Sequence, residues 1–312
     1  MCASGRAFAL RQFNPCAHPD DLRAQFLLTE LMCELGLRTP VPVAAKNGQL
    51  LVEVRERLWA LFPWVEGRPG RAERAEDMAI MAAVQGDWVA CADQLKSDER
   101  WPEIVACARK YRQRKPWAWV VPLDQVPSFA RQQRVIERAR TEGPLGINAA
   151  EFASLVSELE RAITDFEDLL VSSGVREMPH TVTHGDLWPS NIVVDRQGAV
   201  VLDLDCYSLE PRVTDFARAA SLFLQGRSGA RNAHLFQRFQ ARARLSQREA
   251  DVLPLMMCAF DLYHGASRLL LLLAEPKLED RARLVPVIRS DAQAAQRCVN
   301  EGDLLRQEFL GA

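Results

Sequence analysis

The stretch HTVTHGDLWPSNIVVDRQGAVVLDLDCYSLEPRVTDFA, residues 180–217, decides how this chain is read. Its polar residues stand at loop positions between short apolar runs. His184-Gly185-Asp186 follows the end of one run, and Asn191 opens the next, Ile192–Asp195. After an Arg196-Gln197-Gly198 turn, Asp203 falls inside a third run, Ala199–Leu204, expected to be a strand. A carboxylate in an apolar run such as VVLDLD is costly to bury unless a cation or hydrogen-bond donors meet it. Asp186, Asn191 and Asp203 supply three oxygen ligands of the hard kind that Mg²⁺ prefers, with room left for water and phosphate oxygens. Phosphoryl transfer needs such a set: a carboxylate to accept the acceptor's hydroxyl proton, and an amide and a carboxylate to hold metal on the phosphates. The plainer alternative is a loop carboxylate, a turn Asn and a strand-end Asp meeting surface donors.

Outward from this stretch, composition narrows the class. At 312 residues the chain can bury a sizeable core, as one or two packed lobes. Its 48% hydrophobic and 26% charged residues are those of an ordinary globular protein, and a net charge of −2 argues against a nucleic-acid binder working by phosphate neutralisation. The eight cysteines are scattered, with no C-x-x-C pair, so reduced thiols and a cytoplasmic protein are expected rather than a disulfide framework or a zinc site. The first residues, MCASGRAFALRQF, lack the apolar core of a signal peptide, and the apolar run Leu269 to Ala274 is too short to span a bilayer. No membrane and no nucleic acid are therefore expected as partners. The sequence leaves monomer and homodimer open.

Periodicity supplies the elements. Residues 6–13 read as a strand, and Pro19 to Leu35 as a helix with Leu22, Phe26, Leu27, Leu31 and Leu35 on one side, ended by Gly36 and Pro40. PVAAK and QLLVEV, joined by Asn47-Gly48, predict a hairpin, followed by the run LWALFPWV and a loop or linker over Glu66–Gly70. Ala72 to Leu95 is helical in pattern, with Met78, Met81, Val84, Trp88 and Leu95 aligned, whereas residues 100–147 show no clean period. Asn148 caps the strongest helix: Glu151 follows three positions on, Phe152, Leu155, Val156, Leu159, Ile163, Phe166 and Leu170 form its stripe, and Gly174 closes it. Everything after Asp215 reads as helix. The tryptophans at 101, 117 and 119 fit packing between helices better than a ligand cage.

The spaced pattern His184-Gly185-Asp186 with Asn191, then Leu202-Asp203-Leu204-Asp205, then Asp215-Phe216-Ala217, resembles the aminoglycoside phosphotransferase, choline kinase and homoserine kinase group. The Pro211-Arg212 pair is similar to the homoserine-kinase-like branch. The resemblance implies an α+β, two-lobed protein-kinase-like fold. Residues 1–65 would form a small N-terminal nucleotide-binding lobe, and residues 66–312 a mostly helical lobe for catalysis and substrate. It implies Asp186 as catalytic base, Asn191 and Asp203 as Mg²⁺ ligands, and Asp215 as a brace of the catalytic loop. The hinge-like WALFPWVEGRP brings Glu66 into the cofactor-binding set. The first hairpin of such folds would be missing or reduced to Met1–Gly5. No lysine precedes Lys46, so the strand cation for nucleotide phosphates would be Arg11, with Gln25 or Glu30 as its helix partner.

Several roles stay open. His184 is either a metal ligand with His180 and Asp186 or a structural histidine bonded to loop backbone. Asp205 is either a second metal ligand or structural, and it can also touch substrate. Trp188 walls the substrate or packs, and Asp261 and Arg268, on a late helix, are possible substrate contacts. The activity implied is transfer of the ATP γ-phosphoryl group, with Mg²⁺, to a hydroxyl of a small molecule. An amino alcohol or hydroxy amino acid such as homoserine is the leading acceptor class. The alternatives are an aminoglycoside kinase and a non-catalytic pseudokinase that only binds.

Overall fold

The computed structural model describes residues 2–3, 6–15, 17–114, 127–143, 147–223, 229–274 and 278–302, with 304, 307 and 309 beyond them. The chain divides into two compact units. One comprises Met1–Val120, His180–Asp215 and Gln237–Arg244, the other Val121–Pro179, Phe216–Phe236 and Leu245–Ala312.

In the first unit, β1 (Cys2–Ala3) pairs antiparallel with β2 (Arg6–Gln12). A 16-residue helix, α1 (Pro19–Glu34), follows, then β3 (Val52–Val54) and β4 (Arg57–Pro63). The strands form one antiparallel sheet in the order β1-β2-β4-β3. Register places Leu10 opposite Leu61 and Arg11 opposite Ala60. Phe13, just beyond β2, Leu22 and Phe26 of α1 and Ala60 of β4 form a small core, with Phe26 set edge-on to Phe62 at 6.0 Å between ring centres.

The hairpin lies one turn later than the Asn47-Gly48 signal predicts. Asn47-Gly48 does turn the chain, through Gly48 N–H to Ala45 O and Gln49 N–H to the Asn47 side chain. Only an isolated bridge, Val43 to Leu61, precedes β3, however. The paired strands β3 and β4 are joined at Arg55-Glu56, both with positive φ (50° and 59°). That is the two-residue mirror-image turn usually built from Asn and Gly, here made by two residues that do not advertise it.

Residues 66–70, expected as loop, include a short strand, β5 (Arg68–Pro69). Two helices then follow, α2 (Ala75–Leu95) and α3 (Trp101–Arg114). Met78, Met81, Trp88 and Leu95 of α2 are buried. Asp77 in its first turn accepts from Arg68 through both oxygens, at 2.6 and 2.7 Å, and from the Arg71 N–H at 2.9 Å. The Arg68 guanidinium holds this carboxyl below its ordinary range.

The stretch without a clean period, 100–147, is helical in its described parts: α3, then α4 (Pro127–Glu142). Both carry many charged residues, and their few buried positions, such as Ile104 and Ile136, give a thin stripe. Trp117 and Trp119 fall outside the described residues. The long helix α5 (Ala149–Ser173) forms as its caps dictate: the Asn148 side chain accepts from the Ala150 and Glu151 N–H groups, and Gly174 closes it at φ 66°. Its predicted stripe, Phe152 through Leu170, is buried throughout.

The decisive stretch folds into β6 (His180–Thr183), β7 (Ile192–Asp195), β8 (Gly198–Val201) and β9 (Ser208–Pro211). β6 pairs with β9, and the order β5-β7-β8 makes a second sheet. Arg38 grips Asp195 with two hydrogen bonds at 2.8 and 2.6 Å, which holds that carboxyl down at about 2 and fixes the β7–β8 turn beneath the chain leaving α1. After β9 the described chain is helical: α6 (Thr214–Phe223), α7 (Gly229–Ala243), α8 (Gln247–Asp251), α9 (Leu253–Ala274) and α10 (Leu278–Asn300). Helix α9 is apolar on nearly every side and buried from Leu253 to Leu262. Gln247–Ala274 is long and apolar enough to cross a membrane, and 72% of its most apolar window is buried inside the protein.

Candidate active site

The loop between β6 and β7 carries the residues that the sequence singles out, and backbone bonds hold it in shape. Trp188 N–H donates to Asp186 O (2.9 Å), and Asn191 N–H to Trp188 O (3.0 Å). Asp215, at the first turn of α6, accepts from the N–H groups of His184 (2.7 Å) and Gly185 (3.0 Å), one on each oxygen. Gly185 has φ +83°, and a Cβ there would stand 1.9 Å from Cys206 O, so only glycine fits this approach.

His184 is fully buried and serves the loop. Its Nδ1 accepts from Asp186 N–H at 3.2 Å, which leaves the proton on Nε2, facing Leu202 O at 3.0 Å. The ring packs edge-on against Trp88, 5.2 Å between centres. Both ring nitrogens of His184 are thus engaged by backbone.

Asp186 is half-buried. Its Oδ1 accepts from the Trp188 indole N–H and its Oδ2 from Asn191 Nδ2 at 2.9 Å, while its backbone O accepts from the same Nδ2 at 2.7 Å. Trp188 is thus bonded to Asp186 itself. Asn191 donates with its nitrogen, and its side-chain oxygen has no hydrogen-bond donor among the described residues.

Asp203 is not in a strand. β8 stops at Val201, and Asp203 takes φ +64°, the left-handed region that Asp tolerates better than most residues. This conformation turns the chain out of the sheet and brings the carboxylate to a cavity. The cavity, about 560 Å³, is also lined by Arg11, Gln25, Phe26, Phe62, Trp64 and Asn191. Arg11 Nη2 donates to Asp203 Oδ1 at 2.9 Å and to Asp205 Oδ2 at 2.5 Å, and the guanidinium lies over Phe13 at 5.1 Å. Gln25 reaches the other oxygen of Asp205, with Nε2 at 3.0 Å from Oδ1. Gln25 rather than Glu30 therefore belongs to this cluster, since Gln25 is buried and Glu30 exposed.

Other residues lie elsewhere. The Glu66 side chain is exposed and lines a shallower depression with Arg74, Glu76 and Arg196, while its neighbours Val65 and Gly67 line the Arg11 cavity. Asp261 and Arg268, both on α9 in the second unit, are engaged there. Asp261 accepts from Ser221 Oγ at 2.5 Å, and Arg268 is paired with Asp291. Arg212, of the Pro211-Arg212 pair, is tied to Asp93 at 2.7 Å and to Ala243 O at 2.5 Å.

Sequence reasoning missed Gln85. Fully buried on α2, it donates from Nε2 to the backbone oxygens of both Leu187 and Asp215, 3.1 Å each, and so joins the loop to its brace. The available signal was a polar residue on the buried side of α2, four positions after Met81 and three before Trp88. Trp88 likewise donates its indole N–H to Val182 O at 2.8 Å.

Small antiparallel sheets with a mostly helical remainder make this an α+β fold, and its class follows from comparison with known proteins. Residues 3–249 match the phosphotransferase enzyme family, and the chain belongs to that family, which makes it a phosphotransferase of the small-molecule kinase type. Among curated proteins, none matches this chain in sequence. Among solved structures, the chain is similar to an aminoglycoside phosphotransferase from Alicyclobacillus acidocaldarius (14% identity, 98% of this chain and 89% of that one, TM-score 0.63). It is similar also to a microcompartment-associated aminopropanol kinase (16% identity, 96% and 87%, TM-score 0.68). A third is an amicoumacin kinase solved with AMP-PNP and Ca²⁺ (10% identity, 95% and 83%, TM-score 0.62). Identities this low speak for the fold alone.

Proposed function

We propose that this protein transfers the γ-phosphoryl group of ATP to a hydroxyl of a small amino alcohol or hydroxy amino acid, with Asp186 as the catalytic base. The observation that carries the reading is that Arg11, Asn191 and Asp203 line one cavity while Asn191 holds the carboxylate of Asp186. The donor set fits a divalent metal. The site already balances a positive charge, Arg11, against Asp203 and Asp205, and Asp203 Oδ2 and Asn191 Oδ1 carry no donor among the described residues. No cluster of three or more His, Cys, Asp or Glu side chains gathers among those residues. The metal would thus be held by Asp203 and Asn191, with its other oxygens from nucleotide and water, as Mg²⁺ commonly is.

Bound there, Mg·ATP would supply the phosphoryl group and the metal's charge neutralisation. The protein's own part is positioning. Asp186, fixed by Asn191 and Trp188, takes the proton from the acceptor hydroxyl as the hydroxyl oxygen bonds to the γ-phosphorus and the bond from that phosphorus to the β–γ bridging oxygen breaks, releasing ADP. Asp215 and Gln85 keep the loop that carries Asp186 rigid. Arg11 offers a guanidinium to phosphate oxygens, and a role for Glu66 would fall on its backbone, beside the cavity-lining Val65 and Gly67. In this reading residues 1–65 act as the nucleotide lobe and residues 66–312 as the catalytic and substrate lobe. The acceptor class is supported by the likeness to an aminopropanol kinase, and a cytoplasmic setting by the free thiols Cys33, Cys91, Cys107, Cys206 and Cys258.

Thermal melting with Mg·ATP tests the site. A ligand stabilises the native state by RT ln(1 + [L]/Kd), so saturating Mg·ATP is expected to raise the melting temperature of wild type and to leave Asp203→Ala unmoved. An equal rise in both proteins contradicts the metal assignment.

A further inference from the structure

Arg11 meets the segment after β8 through one nitrogen, shared between two carboxylates that are not equivalent. Asp205 has both oxygens taken by protein donors, Oδ2 by Arg11 at 2.5 Å and Oδ1 by Gln25 at 3.0 Å. Asp203 gives one oxygen to Arg11 at 2.9 Å, and its other oxygen has no donor among the described residues. Asp203 lines the cavity and Asp205 does not. A carboxylate held on both oxygens, one by an amide and one by a guanidinium, is well placed to hold the guanidinium still, whereas Asp203, which lines the cavity with one oxygen lacking a donor among the described residues, is the better placed of the two to ligate metal.

We infer that Asp205, braced by Gln25, is the positioning residue for Arg11, leaving Asp203 as the carboxylate that faces ligand. The inference rests on the reading of the cavity as the nucleotide site. It also accounts for an amide at position 25. Only a donor can brace Asp205 there, whereas a second carboxylate at 3.0 Å would repel it. Arg11 is thereby pre-set in the cavity before any phosphate arrives, so less side-chain freedom is lost on binding.

Calorimetric titration of ATP, with and without Mg²⁺, into wild type, Asp205→Asn, Arg11→Ala, the double variant and Gln25→Glu tests this. Asp205→Asn, close to isosteric, is expected to weaken ATP about tenfold, the order of one charge-assisted hydrogen bond, and by the same factor with and without metal. In the Arg11→Ala background it should cost nothing more. Gln25→Glu, which leaves Arg11 and Asp205 in place, should weaken ATP as Asp205→Asn does. A loss seen only with Mg²⁺ would make Asp205 a metal ligand and overturn the inference. Losses that add in the double variant, or binding unchanged in both Asp205→Asn and Gln25→Glu, overturn it while leaving the nucleotide site standing. Wild type that binds neither ATP nor Mg·ATP overturns the site reading and this inference with it.

Discussion

Asn191 holds Asp186 twice over, its side-chain N–H₂ donating to the carboxylate at 2.9 Å and to the backbone oxygen of the same residue at 2.7 Å. In the proposed reading one amide would orient the base and also offer its own oxygen to the metal. Asn191→Ala should therefore damage metal use and chemistry together. Loss even of a group that only supports a ligand typically costs 10–100-fold in metal affinity, so loss of a proposed ligand should raise the Mg²⁺ concentration for half-maximal rate by at least about tenfold while turnover also falls. Rate measured against Mg²⁺ concentration checks this, and an unchanged metal requirement would remove Asn191 from the metal position.

The second prediction concerns Gly185. Because a Cβ there would meet Cys206 O at 1.9 Å, and because φ is +83°, Gly185→Ala must push the loop off its brace. Strain of this kind costs on the order of 1–3 kcal/mol. The melting temperature should fall, and activity should fall further than the stability loss explains, since Asp186 is the next residue. Wild-type activity in a stably folded Gly185→Ala protein would show that the Asp215 brace is not needed.

His264 predicts a pH dependence that is separate from catalysis. Burial, with Arg268 and Arg218 adding to it, lowers its pKa from 6.5 to about 4. The folded state therefore keeps this ring neutral while the unfolded chain protonates it. The contribution to stability is whole above pH 6.5 and is lost as pH falls toward 4. Urea unfolding at pH 7 and pH 5 should show a larger loss for wild type than for His264→Gln, and parallel losses would contradict the assignment.

Much of this was legible in the sequence, and the remainder was hidden for definite reasons. Helix α5 was readable because Asn148, its seven-residue stripe and Gly174 are local signals that agree with one another. The order and spacing of Asp186, Asn191, Asp203 and Asp215 carried the family resemblance, and Asp215 does accept from the His184 and Gly185 N–H groups. The strand placement of Asp203 failed because VVLDLD reads as one apolar run, and the positive φ that ends β8 is a tertiary demand. The hairpin failed similarly: Arg55-Glu56 adopts a conformation that local propensity assigns to Asn47-Gly48. The partners of Arg11 lie more than 190 residues away in the chain, and no periodicity could pair them with it.

The central claim is that Asp186 is the base of a phosphoryl transfer to a small-molecule hydroxyl. Phosphorus NMR of the protein with Mg·ATP and a panel of amino alcohols, hydroxy amino acids and aminoglycosides follows that reaction directly. Wild type should convert ATP to ADP with growth of a phosphomonoester signal on at least one amino alcohol or hydroxy amino acid. A general base acts mainly in the transition state, so Asp186→Asn should slow that conversion by roughly 10²–10⁴-fold while Mg·ATP binds almost as before. Conversion by Asp186→Asn at the wild-type rate, or wild type that binds Mg·ATP and phosphorylates no hydroxyl in the panel, would contradict the account.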